Sequence, residues 1–402
     1  MEFTIHQQVL ASGFLIAVVM GVFVNKTNFC TMGAVSDWVN MGDTGRLRSW
    51  LFAIAISIAG VIILEVTGAI DLGSMRPPYR TGNFEWSRYI LGGIMFGIGM
   101  TLGSGCGNKT LVRVGGGNIK SLVVLIVAGF FAFIMTKTDF YGVVFYSWMN
   151  PIAIDLPSMG IAGQDLGSLL TAATGVANPV DMRLYVGGAL VAILMVMIWK
   201  SADFRQNMDN IVGGAVVGAC VIAAWYVTGG EWGQTWIEES AFLDQVPIGV
   251  GAQSYSFTNP MGETFDLAMH PANRLLITFG VMGLFGVIFG SFLYSVIARK
   301  FKIEWFSSKS DFFSHVIGGV LMGIGGILAM GCTVGQGITG FSTLAIGSMM
   351  AYASFIFGSA LTMKIQYYKM VYEDDATFVG AFVSALVDMH LLPSGMRKLE
   401  MV

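Results

Sequence analysis

Three thiols stand in polar surroundings within an otherwise apolar chain. Cys106 sits among Gly103, Gly105 and Gly107, with Asn108 and Thr110 just beyond; Cys332 follows Gly331 and precedes Thr333, Gly335, Gln336 and Gly337. Cys30 lies in Asn25-Lys26-Thr27-Asn28-Phe29-Cys30-Thr31. A thiol is a weak hydrogen-bond donor, and with an unperturbed pKa of about 8.5 it is mostly neutral at pH 7. The hydroxyls and amides alongside add neutral donors, a set suited to a hydrated anion. Conduction needs sites favourable enough to enter and weak enough to leave. A thiolate would repel an anion and a lysine would hold it too firmly, so the chemistry expected is transient hydrogen bonding by protonated thiols. Lys109 and Arg113 lie just past Cys106. They read either as an ordinary topology signal or as an electrostatic exit lure for an anion. Taken alone, Cys30 reads as a free buried cysteine. Cys220, in Gly213-Gly214-Ala215-Val216-Val217-Gly218-Ala219-Cys220, belongs to a plain apolar run and reads as structural.

Other chemistries find no support. The four cysteines show no C-x-x-C spacing and no histidine at zinc-finger spacing, so neither a metal site nor a disulfide framework is expected. A single bridge, such as Cys106 to Cys332, stays open. His6, His270, His315 and His390 are scattered and adjoin no cysteine, and no phosphate-binding loop is present. The expectation is a non-enzyme without cofactor or catalytic residues. A net charge of -3 with no basic stripe argues against nucleic acid.

The elements that must position the thiols are membrane helices. Of 402 residues, 54% are hydrophobic and 12% charged, whereas soluble domains carry about 25% charged residues. Nine stretches are apolar over enough length to cross a bilayer: 8–24, 50–67, 89–105, 120–136, 184–199, 211–228, 273–298, 314–331 and 343–363. The first lacks a basic leader and a cleavage site and is expected to be retained as a span. A tenth stretch, 376–392, is short, contains Asp388 and His390, and reads as re-entrant or interfacial.

The thiol segments also repeat. Gly92-Gly93-x-x-x-Gly97-x-Gly99 runs on to Gly105-Cys106, and Gly318-Gly319-x-x-x-Gly323-x-Gly325 runs on to Gly331-Cys332. The paired GxxxG glycines suit close helix packing. Glycine density nearer the cysteines weakens a helix and points to helices that end inside the protein, where backbone N–H groups and a thiol face a constriction. Lysine and arginine place loops 25–49, 107–120 and 299–313 in the cytoplasm. Long segments 137–183 and 229–272, poor in basic residues, fall outside. The N-terminus is then outside and the C-terminus inside. Loop 68–88, with Arg76, Arg80 and Arg88, is the exception. In this orientation the two cysteine segments run in opposite directions, an inverted-topology repeat. The chain reads as all-α, one membrane transport domain over 1–402, with half-repeats 1–183 and 184–402 and short re-entrant helices. Tyr146, Trp148, Trp232 and Trp236 in the long segments read as an interfacial belt.

These motifs resemble the YeeE/YedE family of bacterial inner-membrane sulfur transporters. The resemblance rests on Thr27 to Cys30 with Asp37 and Arg46, on Gly92 through Lys120, and on Gly318 through Gly340. It implies uptake of thiosulfate or a related small sulfur-containing anion through a path lined by Cys30, Cys106 and Cys332, which relay the anion by S–H hydrogen bonds. Asn108, Thr110, Thr333 and Gln336 would share the path. It also implies a TusA-like sulfur-carrier protein on the cytoplasmic side. The long segments 137–183 and 229–272 depart from compact members of the family and leave a selenium species open as cargo. A membrane-embedded sulfurtransferase forming a cysteine persulfide, or a subunit whose glycines only pack helices, are the alternatives. Because a dianion enters a negative-inside cell against the potential, uptake is expected to be coupled to cations or drawn by consumption.

Overall fold

Thr4 starts the first helix with a reciprocal cap: its side chain accepts the Gln7 N–H while the Gln7 side chain accepts the Thr4 N–H. The computed structural model describes residues 4–175 and 178–400. Helices dominate: α1 (Ile5–Thr27), α2 (Thr31–Met41), α3 (Gly45–Val66), α4 (Trp86–Leu102), α5 (Gly107–Gly115), α6 (Ile119–Lys137), α7 (Ser147–Met149), α8 (Leu166–Thr174), α9 (Pro179–Trp199) and α10 (Ala202–Gln206). There follow α11 (Met208–Gly229), α12 (Glu231–Ala241), α13 (Thr258–Met269), α14 (Phe279–Ile297), α15 (Lys309–Leu328), α16 (Ile346–Tyr372) and α17 (Phe378–Asp388). A short helix over 333–342 contains a π-helical stretch, Gly335–Gly340. The only sheet among the described residues pairs β1 (Asn83–Phe84) with β2 (Ile154–Asp155), antiparallel, Asn83 opposite Asp155.

Nine helical segments among the described residues are long and apolar enough to cross a bilayer, matching the nine stretches read from the sequence. The chain is an all-α polytopic membrane protein. Residues 376–392 form only α17, 11 residues long, about half of what a span needs. Its end is tied to α16, where Asp388 receives Arg397 and the Tyr368 hydroxyl.

The packing obeys one rule of exchange. α1 packs on α14 and α3 on α11; α4 packs on α16 and α15 on α6; α2 packs on α16 and α13 on α6; α5 packs on α14 and the π-helical stretch on α3. Exchanging α1, α2, α3, α4, α5 and α6 for α11, α13, α14, α15, the π-helical stretch and α16 leaves this set of partners unchanged. The pairs α1–α11 and α4–α15 map onto themselves. The second set of exchanged helices begins at α11, and α9 packs on α3.

Glycines allow the central crossing. A Cβ at Gly92 would lie 2.5 Å from the Ala329 amide nitrogen and 2.7 Å from the Gly325 carbonyl. A Cβ at Gly318 would lie 2.5 Å from the Gly103 nitrogen and 2.8 Å from the Gly99 carbonyl. The duplicated glycines therefore meet reciprocally where α4 and α15 touch backbone to backbone.

The long segments are built into the protein rather than draped outside it. Arg80 forks onto Glu65 at 2.7 and 2.9 Å, and Arg183 bridges Glu65 at 2.6 Å and Asp165 at 2.8 Å. Residues 164–166 exchange backbone hydrogen bonds with 344–346. Arg88 pairs with Glu85 and donates to the Leu328 carbonyl. Two of the three arginines that broke the charge pattern are thus neutralised by carboxylates. In the second long segment, residues 252–257 cross the core, with Ala252, Tyr255 and Phe257 at most 1% exposed. Their polar groups are satisfied there: the Tyr255 hydroxyl donates to the Gly13 carbonyl at 2.6 Å. Trp236 does not join an interfacial belt. It is buried and its indole N–H donates to His6 Nδ1 at 3.0 Å, while Tyr146, Trp148 and Trp232 are exposed.

Candidate functional site

Cys30, Cys106 and Cys332 each follow the same backbone device. The residue two before each cysteine adopts the left-handed conformation: Asn28, Ser104 and Met330 have φ of 57°, 57° and 60°. Such a residue ends a helix and turns the chain. The cysteine then opens the next short helix: Cys30 caps α2, Cys106 caps α5, and Cys332 precedes the 333–342 helix. The helices break inside the protein at the thiols, at Cys106 and Cys332 as glycine density foretold. All four cysteines are free and buried, so no Cys106–Cys332 bridge exists.

The three thiol-bearing turns converge. Cys30 Sγ lies 4.0 Å from Cys106 Sγ. A Cβ at Gly107, the residue after Cys106, would lie 3.4 Å from the Cys332 Cβ. Cys30 Sγ accepts from the Gly33 N–H at 3.5 Å, and Cys332 Sγ from the Phe257 N–H at 3.4 Å. Cys220 is elsewhere, its thiol donating to the Ile16 carbonyl at 3.8 Å.

The neutral partners separate into two groups. Thr110 is spent, its hydroxyl bonded to the Cys106 carbonyl at 3.1 Å. By contrast, both amide atoms of Asn108, the Thr333 hydroxyl and the Gln336 Oε1 are buried with no partner in the protein. Gln336 is oriented by its Nε2, which donates to the Ala329 carbonyl. Thr31 and Tyr352, not singled out from the sequence, carry unpartnered buried hydroxyls too. Each such group costs roughly 1–3 kcal/mol when left unsatisfied. Asn108 and Thr333 lie within two residues of Cys106 and Cys332 in the chain, so these unpartnered groups gather near the thiols. Trp50 closes it on one side, stacked on Phe29 at 4.5 Å and on Tyr352 at 5.9 Å.

Lys109 and Arg113 brace the turns. The Lys109 ammonium donates to the Asn28 side-chain oxygen, and the Arg113 guanidinium donates to the Ser104 carbonyl. Two cations of α5 therefore hold the left-handed residues that precede Cys30 and Cys106.

Two cavities flank the thiols. One, of about 330 Å³, is lined by Arg76, Ser256, Asn259, Glu263, Thr278, Gly280, Met330 and Gly331 among others, and reaches the residue before Cys332. The other, of about 270 Å³, is lined by Asn28, Lys109, Arg113, Ser295, Lys300, Lys302 and Glu304 among others, on the far side of Cys30. They share no lining residue. α14 carries Gly280 in the first and Ser295 near its other end in the second, about 22 Å apart at 1.5 Å per residue. Cys332, Cys106 and Cys30 lie between, at most 3% exposed. Sequence reasoning missed Arg76, Ser256, Asn259 and Glu263. The signal for Arg76 was its place in the loop that violated the charge pattern.

Nine apolar helices among the described residues, surrounding buried thiols flanked by two cavities, define a multi-pass membrane protein. A family model described as sulphur transport matches residues 26–361, which include Cys30, Cys106 and Cys332, and the chain belongs to that family. It is 23% identical over 352 residues to the thiosulfate transporter TsuA of Spirochaeta thermophila, covering 87% of this chain and 96% of that protein. It is 23% identical over 353 residues to the thiosulfate transporter TsuA of Escherichia coli, covering 82% of this chain and 86% of that one.

Proposed function

We propose that this protein takes up thiosulfate, or a closely related small sulfur-containing anion, across the bacterial inner membrane, and that Cys332, Cys106 and Cys30 pass it along in that order. The observation that carries this reading is the line of thiols between two cavities. Arg76 offers positive charge where the anion arrives. Lys109, Arg113, Lys300 and Lys302 against a single Glu304 offer more where it leaves. Thiols supply weak donors at each step, and Asn108, Thr333 and Gln336 supply the neutral contacts that replace water. The half-repeats 1–183 and 184–402 would form inverted halves, with the N-terminus and the Arg76 cavity outside and the C-terminus and the Lys109 cavity inside. A TusA-like sulfur carrier would collect the anion at the Lys109 face.

Moving two negative charges inward costs about 4.6 kcal/mol at 100 mV, so the anion must be driven or consumed. Uptake of radiolabelled thiosulfate into cells lacking other routes, with and without Cys106, tests the reading. Undiminished uptake by Cys106→Ala and Cys332→Ala variants would remove it. A stable persulfide on any of the three cysteines after exposure to thiosulfate would favour sulfur transfer instead.

A further inference from the structure

The Arg76 cavity contains one acid among its described lining residues, and nothing in the thiol pathway uses it. Glu263, on α13, accepts from Asn259 Nδ2 at 2.7 Å and from the Thr278 hydroxyl at 2.6 Å. Both partners are neutral. The nearby cation Lys137, on α6, is committed to Asp266 at 3.0 Å, and Asp266 also binds His270. Arg274, on the 3-10 turn packed against α13, is exposed, and α14 brings Thr278 but no charge. Glu263 makes no ion pair among the described residues, and its half-buried carboxyl shares the cavity with Arg76 and Gly331.

A carboxylate is poorly placed at the mouth of an anion path. Ionised, Glu263 cancels the charge of Arg76 and the cavity is neutral. Protonated, it leaves Arg76 unopposed and adds an O–H donor beside Ser256 and Asn259. The geometry points to Glu263 as a proton-binding site that must be filled before the anion enters the Arg76 cavity. This rests on the transport reading above and adds a co-substrate to it: Glu263–COO⁻ takes one proton from the outside medium, and anion binding and proton binding then favour each other reciprocally. Burial pushes the Glu263 carboxyl above the usual value, in the direction this requires.

The test is thiosulfate uptake by right-side-out membrane vesicles with the interior pH fixed and the outside pH stepped. Wild-type uptake should fall as outside pH rises, approaching about tenfold per pH unit once Glu263 is ionised. Glu263→Gln should change by less than about twofold over the same range, and Glu263→Asp should keep a sloping profile. In infrared difference spectra, wild type minus Glu263→Gln, thiosulfate should restore a protonated-carboxyl band at a pH where it is otherwise lost. A Glu263→Gln profile as steep as wild type, or no carboxyl band responding to thiosulfate, overturns the assignment. Absence of wild-type uptake at every pH overturns the transport reading itself.

Discussion

Cys30 and Cys106 face each other with 4.0 Å between their sulfurs, although 76 residues separate them in the chain. A disulfide requires about 2.05 Å. The gap is instead that of two thiols sharing a proton-mediated contact, close enough for a ligand held by one to touch the other. Neither thiol has room to move far, since Lys109 and Arg113 tether the turns beneath them.

Removing one thiol interrupts the line without unfolding it. Cys30→Ser, Cys106→Ala and Cys332→Ala should each lower thiosulfate uptake by about tenfold or more, the equivalent of one hydrogen bond of roughly 1.4 kcal/mol lost at a transfer step. Cys220→Ala should leave uptake unchanged, because that thiol lies in α11 away from the cavities. Equal loss in all four variants would mean that the cysteines matter only for packing.

Asn108 and Thr333 hold unpartnered donors beside the thiols. Asn108→Ala and Thr333→Val should weaken apparent affinity for thiosulfate by about 5- to 10-fold, from roughly 1–1.5 kcal/mol per lost contact. Melting temperature should hold or rise, since each change deletes a buried group with no partner. A fall in stability with unchanged affinity would assign these side chains to the scaffold.

At the α4–α15 crossing, a single methyl has nowhere to go. Gly318→Ala should destabilise the protein by about 1–3 kcal/mol, because the clash is with backbone rather than a movable side chain. Gly142→Ala, where nothing lies within 4 Å, is the matched control. Fluorescence-detected thermal unfolding in detergent compares them; identical midpoints would contradict the packing described.

The Glu65–Arg80–Arg183–Asp165 network is partly buried and joins two connections to α3 and α9. Glu65→Gln leaves two guanidinium groups underneutralised and should cost about 3–5 kcal/mol. Acid should act on the same network through Asp165. Burial raises its carboxyl, but the Arg183 fork outweighs burial and leaves the pKa below the ordinary value. A depressed pKa contributes stability that is complete above the unfolded value of about 3.9 and is lost as pH falls through the lower folded value. The melting point should therefore drop in that acid window, and less so in Asp165→Asn, whose baseline is already lower.

Much of this was legible in the chain. The nine spans announce themselves because a bilayer demands about 20 apolar residues each, and the breaks at Cys106 and Cys332 because glycine clusters there. The GxxxG glycines pack as their spacing implied. What stayed hidden depended on long-range pairing. Residues 252–257 look like polar loop, yet they cross the core because Gly13, Val221 and Thr339 supply their hydrogen bonds. Trp236 looks like an interfacial anchor until His6, 230 residues away, is placed against it. Arg80 and Arg88 look like topology errors until Glu65 and Glu85 cancel them. The left-handed turn before each thiol was also invisible, since Asn28, Ser104 and Met330 share no residue type.

The separation of the two cavities carries a physiological consequence. On the proposed route the thiols separate two cavities that share no lining residue, so an unloaded transporter would not leak ions and would leave the gradients that run other pumps intact. That separation would also make hydration a sieve. On the proposed route each anion would leave its water at the first sulfur, which disfavours ions that hold their hydration shell hardest.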